Sequence, residues 1–420
     1  MRIETILLVL LSFPAAAADW LQWGGPTRDF RVTDPGLKAW PESGPRKVWT
    51  RVLGDGYSAI LAEGNRIYTV YRSGSREVVL AADAATGKTI WEHGWTSTFR
   101  SDAPELGHGP HATPLIVGDR LFVVSVAGRL MCLDKATGKE IWAHGLISEM
   151  GGTRLMYGYA SHPIAYRDMV IVLVGGRGQA LVAFRQSDGG IVWKRGDYRN
   201  AYSSPLLIAV GGLEQLVIVM QDFVAAFNPV NGDLQWQAEH KADYGLSVSA
   251  PLWSAGDLLF VSSEYNAGGR VLELKRDGNG VRSSQLWHNP RIKLHHGNAI
   301  RHGDLIYTIS GGKGGPAFLT AIEAASGKIV LQDRSYGKAS FLDLGAGRVM
   351  ILTAEGELQL ARLAPGKIQV EARAQVAQSN AWTPPTLAGT RVYVRDRHSV
   401  TALDLAAASV SPAGRKTPEE

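Results

Sequence analysis

One pattern governs what this chain can fold into: a strand–turn–strand unit that recurs along its length. Leu80–His93 reads "LAADAATGKTIWEH" and Leu130–His144 reads "LMCLDKATGKEIWAH". Leu181–Arg195, Val224–Glu239, Leu319–Arg334 and Leu358–Arg373 are further copies, and Val271–Asn289 is a looser one with a longer turn. Each copy has an alternating strand, a turn carrying Gly or Asn, and a short second strand. The tryptophan position counts the copies. It is filled by Trp49, Trp91, Trp142, Trp193, Trp236 and Trp287, then by Leu331 and Val370, at intervals of 42, 51, 51, 43, 51, 44 and 39 residues. Periods of about 40–50 residues with four short strands each are the signature of propeller blades. The pattern predicts an all-β fold: an eight-bladed β-propeller of four-stranded antiparallel blades spanning residues 19–405.

The two ends of the repeat are each incomplete. The last copy has strands near Thr383–Leu387, Arg391–Arg395 and Val400–Leu405, and then runs into "AAASVSPAGRKTPEE", which is expected to be disordered over residues 406–420. "PRKVWTR" (Pro45–Arg51) is an anchor strand with no blade before it. The defects cancel if the N-terminal strand completes the final blade and closes the ring, which leaves no open sheet edge at the seam.

The repeat also removes two false leads. The single cysteine, Cys132, occupies a position that reads Ala81, Ala183, Ala226, Ala321, Leu360 and Ala402 in other copies, so it is expected to be a buried small hydrophobe. "ATGKT" (Ala85–Thr89) resembles the end of a phosphate-binding loop, but its glycine serves a hairpin turn, and no helix follows a propeller turn.

Composition bounds the setting. Ile6–Phe13 ("ILLVLLSF") followed by "PAAAA" reads as a secretory signal over residues 1–18, with the mature chain starting at Asp19 in the periplasm or outside the cell. No cysteine follows that run to carry a lipid, and no later stretch is long enough to be an integral membrane segment. A net charge of +5 without a basic arm speaks against nucleic acid. One cysteine allows no intramolecular disulfide, and the absence of C-x-x-C-H excludes a c-type haem.

The block "AxDxxTGKxxW", as in Asp83–Trp91 and Asp134–Trp142, resembles the repeat of the pyrroloquinoline-quinone (PQQ) propeller superfamily. "DWLQWGGPTRDF" (Asp19–Phe30) looks like the opening of its exported bacterial members. The resemblance extends from Asp19 to about Leu405. It implies one of two activities. Some members are quinoprotein alcohol dehydrogenases, which hold PQQ over calcium or a lanthanide through a Glu, an Asn and an Asp, use an Asp as base, and carry a disulfide between adjacent cysteines. Another is the propeller lipoprotein of outer-membrane assembly, which binds no quinone.

A site is expected where each chain segment enters an innermost strand. Those segments are Gly56–Ile60, Gly109–Pro114, Gly158–Pro163, Asn200–Pro205, Gly245–Pro251, His295–Ile300, Gly337–Leu342 and Asn380–Pro385. They are rich in His, Tyr, Ser, Asn and Trp, and His108, His111, His162, His295 and His296 fall in or beside them. Tyr57, His111, His162, Tyr202, His296, Asn298 and Trp382 are the candidate ligand-binding residues. The same groups would also suit the hydrogen-bonded wall of a water-filled channel. No Asp or Glu lies within the segments; Asp55 and Asp243 are just outside, Lys338 is the only cation, and Asn298 alone matches a metal-type position. A hard cation needs several oxygen ligands, largely carboxylates. Two functions follow. One is a binding or scaffold module that takes a small polar ligand or a protein or peptide partner through its funnel. The other is a PQQ- and calcium-dependent dehydrogenase of alcohols or sugars. The missing disulfide and carboxylates favour the first.

Overall fold

In the computed structural model, which describes residues 19–406 apart from 313, 365 and 379, the chain forms eight antiparallel four-stranded sheets. The segments read as a secretory signal (1–18) and tail (407–420) lie outside the described residues. Three short 3-10 turns are the only helical elements among those described. No helix there is long and apolar enough to cross a membrane.

Seven blades follow chain order. The first is built from Leu61–Glu63, Arg66–Ser73, Arg76–Asp83 and Thr89–Thr96, innermost strand first. The eighth joins the two ends of the chain. Thr386–Ala388, Arg391–Arg395 and Ser399–Asp404 supply its inner strands, and Arg46–Val52 pairs onto the last of these with Trp49 opposite Ala402. Ring closure by the N-terminal strand is thus the observed topology.

The D-x-x-T-G-K motif is a turn device. Asp83 Oδ1 accepts from the Thr86 backbone N–H at 2.8 Å and from its hydroxyl at 2.7 Å, and Asp134 does the same with Thr137 at 2.8 and 2.6 Å. Each such hairpin ends against the tryptophan of the preceding blade. Trp49 lies on Gly87, Trp91 on Gly138, Trp142 on Gly189, Trp193 on Gly232 and Trp287 on Gly327. Most of these indoles also donate to the same hairpin, as Trp91 Nε1 does to Lys135 O at 3.1 Å and Trp287 Nε1 to Ala324 O at 2.8 Å.

The degenerate anchors have a reason in this geometry. Trp236 faces the fifth blade, whose hairpin pairs on to Asp277 and Gly280, and its Nε1 turns to Gln215 Oε1 at 3.0 Å within its own blade. Leu331 faces the seventh blade, which is also extended, with pairing out to Ala364 and Lys367. That extension corrects the sequence alignment: the bulge places Ala372, not Val370, opposite Leu360, so Ala372 fills the tryptophan position. It faces the eighth blade, where the chain ends meet and no hairpin exists to receive an indole.

Apolar side chains pack between successive blades, so the core is a ring rather than a centre. Phe122, Cys132, Val170 and Phe184 fill the junction of the second and third blades, and Leu181, Ile218 and Phe227 that of the third and fourth. Cys132 is fully buried and bears on Trp142 across the strand pair. Burial pushes its thiol up to about 11.

The segment before the closing strand crosses the channel at the far end of the inner strands. Trp20 bridges to Ala62 of the first blade, and Leu21 O accepts from Ile116 N of the second. Arg28 is buried and donates to Pro163 O (3.1 Å), His162 O (3.2 Å) and Pro205 O (3.0 Å) before the inner strands of the third and fourth blades. Val32 N then reaches Asp343 O of the seventh, where Asp34 pairs with Arg348 at 2.5 Å.

Candidate functional site

Above that crossing segment lies a cavity of about 200 Å³, and all seven candidate residues line it. Their roles differ, because the polar groups of the entry segments first bind the blades to one another. Thr383 Oγ1 donates to Tyr57 O (2.8 Å), Ala59 N to Thr113 Oγ1 (3.0 Å), and Thr113 N to His162 Nδ1 (2.7 Å). Ser161 donates to Ser203 O at 2.6 Å, Ser203 to Ser249 O at 2.8 Å, and Ser249 to His295 O at 2.9 Å. Asn298 makes two bonds to the seventh blade: its Nδ2 donates to Phe341 O and its Oδ1 accepts from Phe341 N, both at 2.9 Å. The Ser, Thr and Asn enrichment of these segments is therefore largely a hydrogen-bonded girdle around the channel.

The remaining groups form an aromatic stack. His111 lies parallel to Tyr57 (5.4 Å between centroids, 3°), Tyr57 to Trp382 (5.0 Å, 11°), and Trp382 to His296 (4.7 Å, 13°). These are offset-stacking distances. The Tyr57 hydroxyl donates to Leu106 O at 2.9 Å, and burial pushes its pKa up to about 12. Tyr202 sits across the cavity, where its oxygen accepts from Tyr157 N at 3.4 Å.

The imidazoles are held neutral. Desolvation lowers His111 to about 4. His162 is pushed well below its ordinary value by burial and then by Arg28, and His296 by burial and then by His295 and Lys338. With Nδ1 of His162 accepting from Thr113, its proton resides on Nε2.

Trp23 and Phe30 make the cavity's floor. Trp23 stacks on His162 (4.1 Å, 29°) and meets Phe30 edge to face (5.2 Å, 89°). Sequence reasoning missed both, although they fall in "DWLQWGGPTRDF". The signal available was two aromatics in a segment too short to be a blade. Tyr157 and Tyr265, from loops beside the entry segments, and Leu246, within Gly245–Pro251, were not singled out either.

Residues 75–333 match the family model described as outer membrane protein assembly factor BamB. The chain belongs to this BamB-type family of PQQ-like propellers. Solved structures similar to it include the following three. BamB from Moraxella catarrhalis aligns at 15% identity and a TM-score of 0.57, covering 86% of this chain and 98% of that one. A europium-containing methanol dehydrogenase aligns at 14% and 0.63, covering 90% and 89%. The quinohemoprotein alcohol dehydrogenase from Comamonas testosteroni aligns at 13% and 0.61, covering 96% and 83%. At such identities the likeness is one of fold. No curated protein matches the chain.

The donor set of this BamB-type propeller does not fit a hard cation beneath a quinone. Among the described residues, no Asp, Glu, Lys or Arg lines the cavity. Asp55, the nearest acid in sequence, accepts from Arg397 Nε (2.6 Å) and from the backbone N–H groups of His108 and Gly109. Burial works against its ionisation, but those bonds outweigh it and hold the carboxyl below the usual range. Asp243 is bonded to Asn266, and the Asn298 amide is bonded at both its nitrogen and its oxygen to Phe341. Neutral imidazoles and ring faces are what remain.

Proposed function

We propose that the chain is an exported binding module that holds a ligand or partner group in its funnel, rather than a quinone-dependent dehydrogenase. The observation that carries this reading is the wall of the cavity: an imidazole–phenol–indole–imidazole stack with no carboxylate, ammonium or guanidinium among its described lining residues. PQQ carries three carboxylates, and its cation needs anionic oxygen ligands. Burying either against this wall leaves charge without a partner, which is strongly unfavourable. Stacking and hydrogen bonding to an uncharged group suit the same wall. Membership in the BamB-type family supports a non-catalytic role in the cell envelope. The competing reading, oxidation of an alcohol or sugar, has the fold likeness to two dehydrogenases behind it.

Titration calorimetry with PQQ and calcium decides between them. The binding reading expects no saturable heat and no dye-linked oxidation of alcohols or sugars. Micromolar PQQ binding together with turnover would replace it with the enzyme. Export is checked on the protein recovered from the periplasm, whose first residue should be Asp19.

A further inference from the structure

We propose that the funnel takes an uncharged aryl ligand whose polar substituent meets the imidazole of His111 or His296. This rests on the binding reading above and adds the chemistry of the ligand.

The polar groups of the cavity decide the class. Most are already engaged. The Tyr57 hydroxyl is bonded to Leu106 O, the Tyr265 hydroxyl lies 3.0 Å from His295 Nε2, and Tyr202 receives the Tyr157 N–H. Asn298 and His162 belong to the girdle. A sugar carries hydroxyls on every edge, and each one buried without a partner is unfavourable. Leu106, Leu246, Val248, Ala250 and Phe30 would face several of them. An apolar ring leaves no such debt.

Charge is disfavoured in both signs. The described lining holds no group to pair with an anion. Arg28, below the floor, has its guanidinium directed to three backbone carbonyls. Ring faces attract a cation, but Lys338 already stands over Trp382, its Nζ 5.7 Å from the ring centroid, and Arg28 lies below the floor. The nearest acids are committed, Asp55 to Arg397 and Glu264 beside His295 Nδ1 at 3.5 Å.

Open polar groups remain: at the floor the Nε1–H of Trp23 and the Nε2–H of His162, which lie against each other's rings, opposite them the Tyr202 hydroxyl proton, and in the stack two imidazoles. The rings of His111 and His296 neither donate to nor accept from any described residue, and His296 Nδ1 is buried without a partner. They stand at the two ends of the stack, with the Tyr57 and Trp382 rings between them. A neutral imidazole offers one donor and one acceptor. Trp23, stacked on His162, closes the far end, so the ring enters from the open face and stops on the floor.

The test is a charge series on one ring, read by calorimetry and ligand-observed NMR at neutral pH. Benzamide, benzoate, benzylammonium and methyl glucoside are titrated into the full mature chain. Saturable benzamide binding is expected, with both charged analogues at least tenfold weaker and the glucoside silent. In His111→Phe or His296→Phe, benzamide should weaken about three- to tenfold, as the loss of one hydrogen bond implies, and His111→Gln should restore it. Benzoate or benzylammonium binding as tightly as benzamide would overturn the proposal. So would glucoside binding, or no saturable benzamide binding at all. None of these outcomes depends on the PQQ titration, so the ligand class and the binding reading can fail separately.

Discussion

The indole of Trp142 lies against Gly189 of the following blade, and its Nε1 donates to Gln186 O at 3.1 Å. The hairpin of one blade is thereby locked to the outer strand of the one before it. A Cβ at Gly189 would stand 2.7 Å from the Trp142 ring, on a backbone with φ of +75°. Gly189→Ala should therefore lose about 3 kcal/mol, from backbone strain plus displacement of the indole. Gly118 separates the two effects: its φ is +58° but nothing lies within 4 Å of a Cβ there. Gly118→Ala should lose only about 1 kcal/mol. Equal urea midpoints for the two variants would show that the indole contact adds nothing.

Ring closure gives the second prediction. Residues 19–52 supply both the closing strand and the channel floor, through Trp49 opposite Ala402 and Trp23 on His162. Removing them exposes the edge of Ser399–Asp404 and the apolar face beneath it. The truncated chain should aggregate on gel filtration, and a monomeric, cooperatively unfolding product would contradict the closure.

The fold was legible because its signal is repeated. The alternating strands, the Asp–Thr turn and the indole recur, and each recurrence reports the same local physics. Reading faltered where a blade departs from the repeat. Val370 was aligned in place of Ala372 because the seventh hairpin is extended and the receiving blade, closed by the two chain ends, has no hairpin to hold an indole. The candidate site was legible as a ring of entry segments, since any propeller brings them to one face. The division of labour within it was not. Ser161, Thr113 and Asn298 look like ligand groups in sequence, and only the inter-blade distances assign them to the girdle. The floor was not read because its one signal, two aromatics in a short segment outside the blades, acts through a long-range crossing that no periodicity encodes.

Cys132 supplies the third prediction. It is enclosed by Trp142 and the third blade, and its thiol is pushed up to about 11 by burial. Native protein should react with a thiol reagent only on the timescale of unfolding. Cys132→Ala should lose about 1 kcal/mol, since a small side chain is trimmed from a packed junction. Rapid labelling in the absence of denaturant would contradict the packing.

The last prediction concerns acid. His111 titrates at about 4 in the folded chain against 6.5 for an ordinary imidazole, and His162 and His296 are lowered in the same direction. Above pH 6.5 all three are neutral in both states and contribute no pH dependence. Between 6.5 and about 4 the unfolded chain binds protons that the folded funnel refuses, so stability falls as pH falls. Below 4 His111 protonates in both states and its share of the slope ends. Urea midpoints at pH 7, 6, 5 and 4 should decline through that window. His111→Gln should make the decline shallower, because one of the contributing imidazoles is gone while a neutral polar group stays in its place. A midpoint unchanged between pH 7 and 5, or one that rises on acidification, would mean that these rings accept protons in the folded protein and that the funnel wall is not the neutral surface its geometry implies.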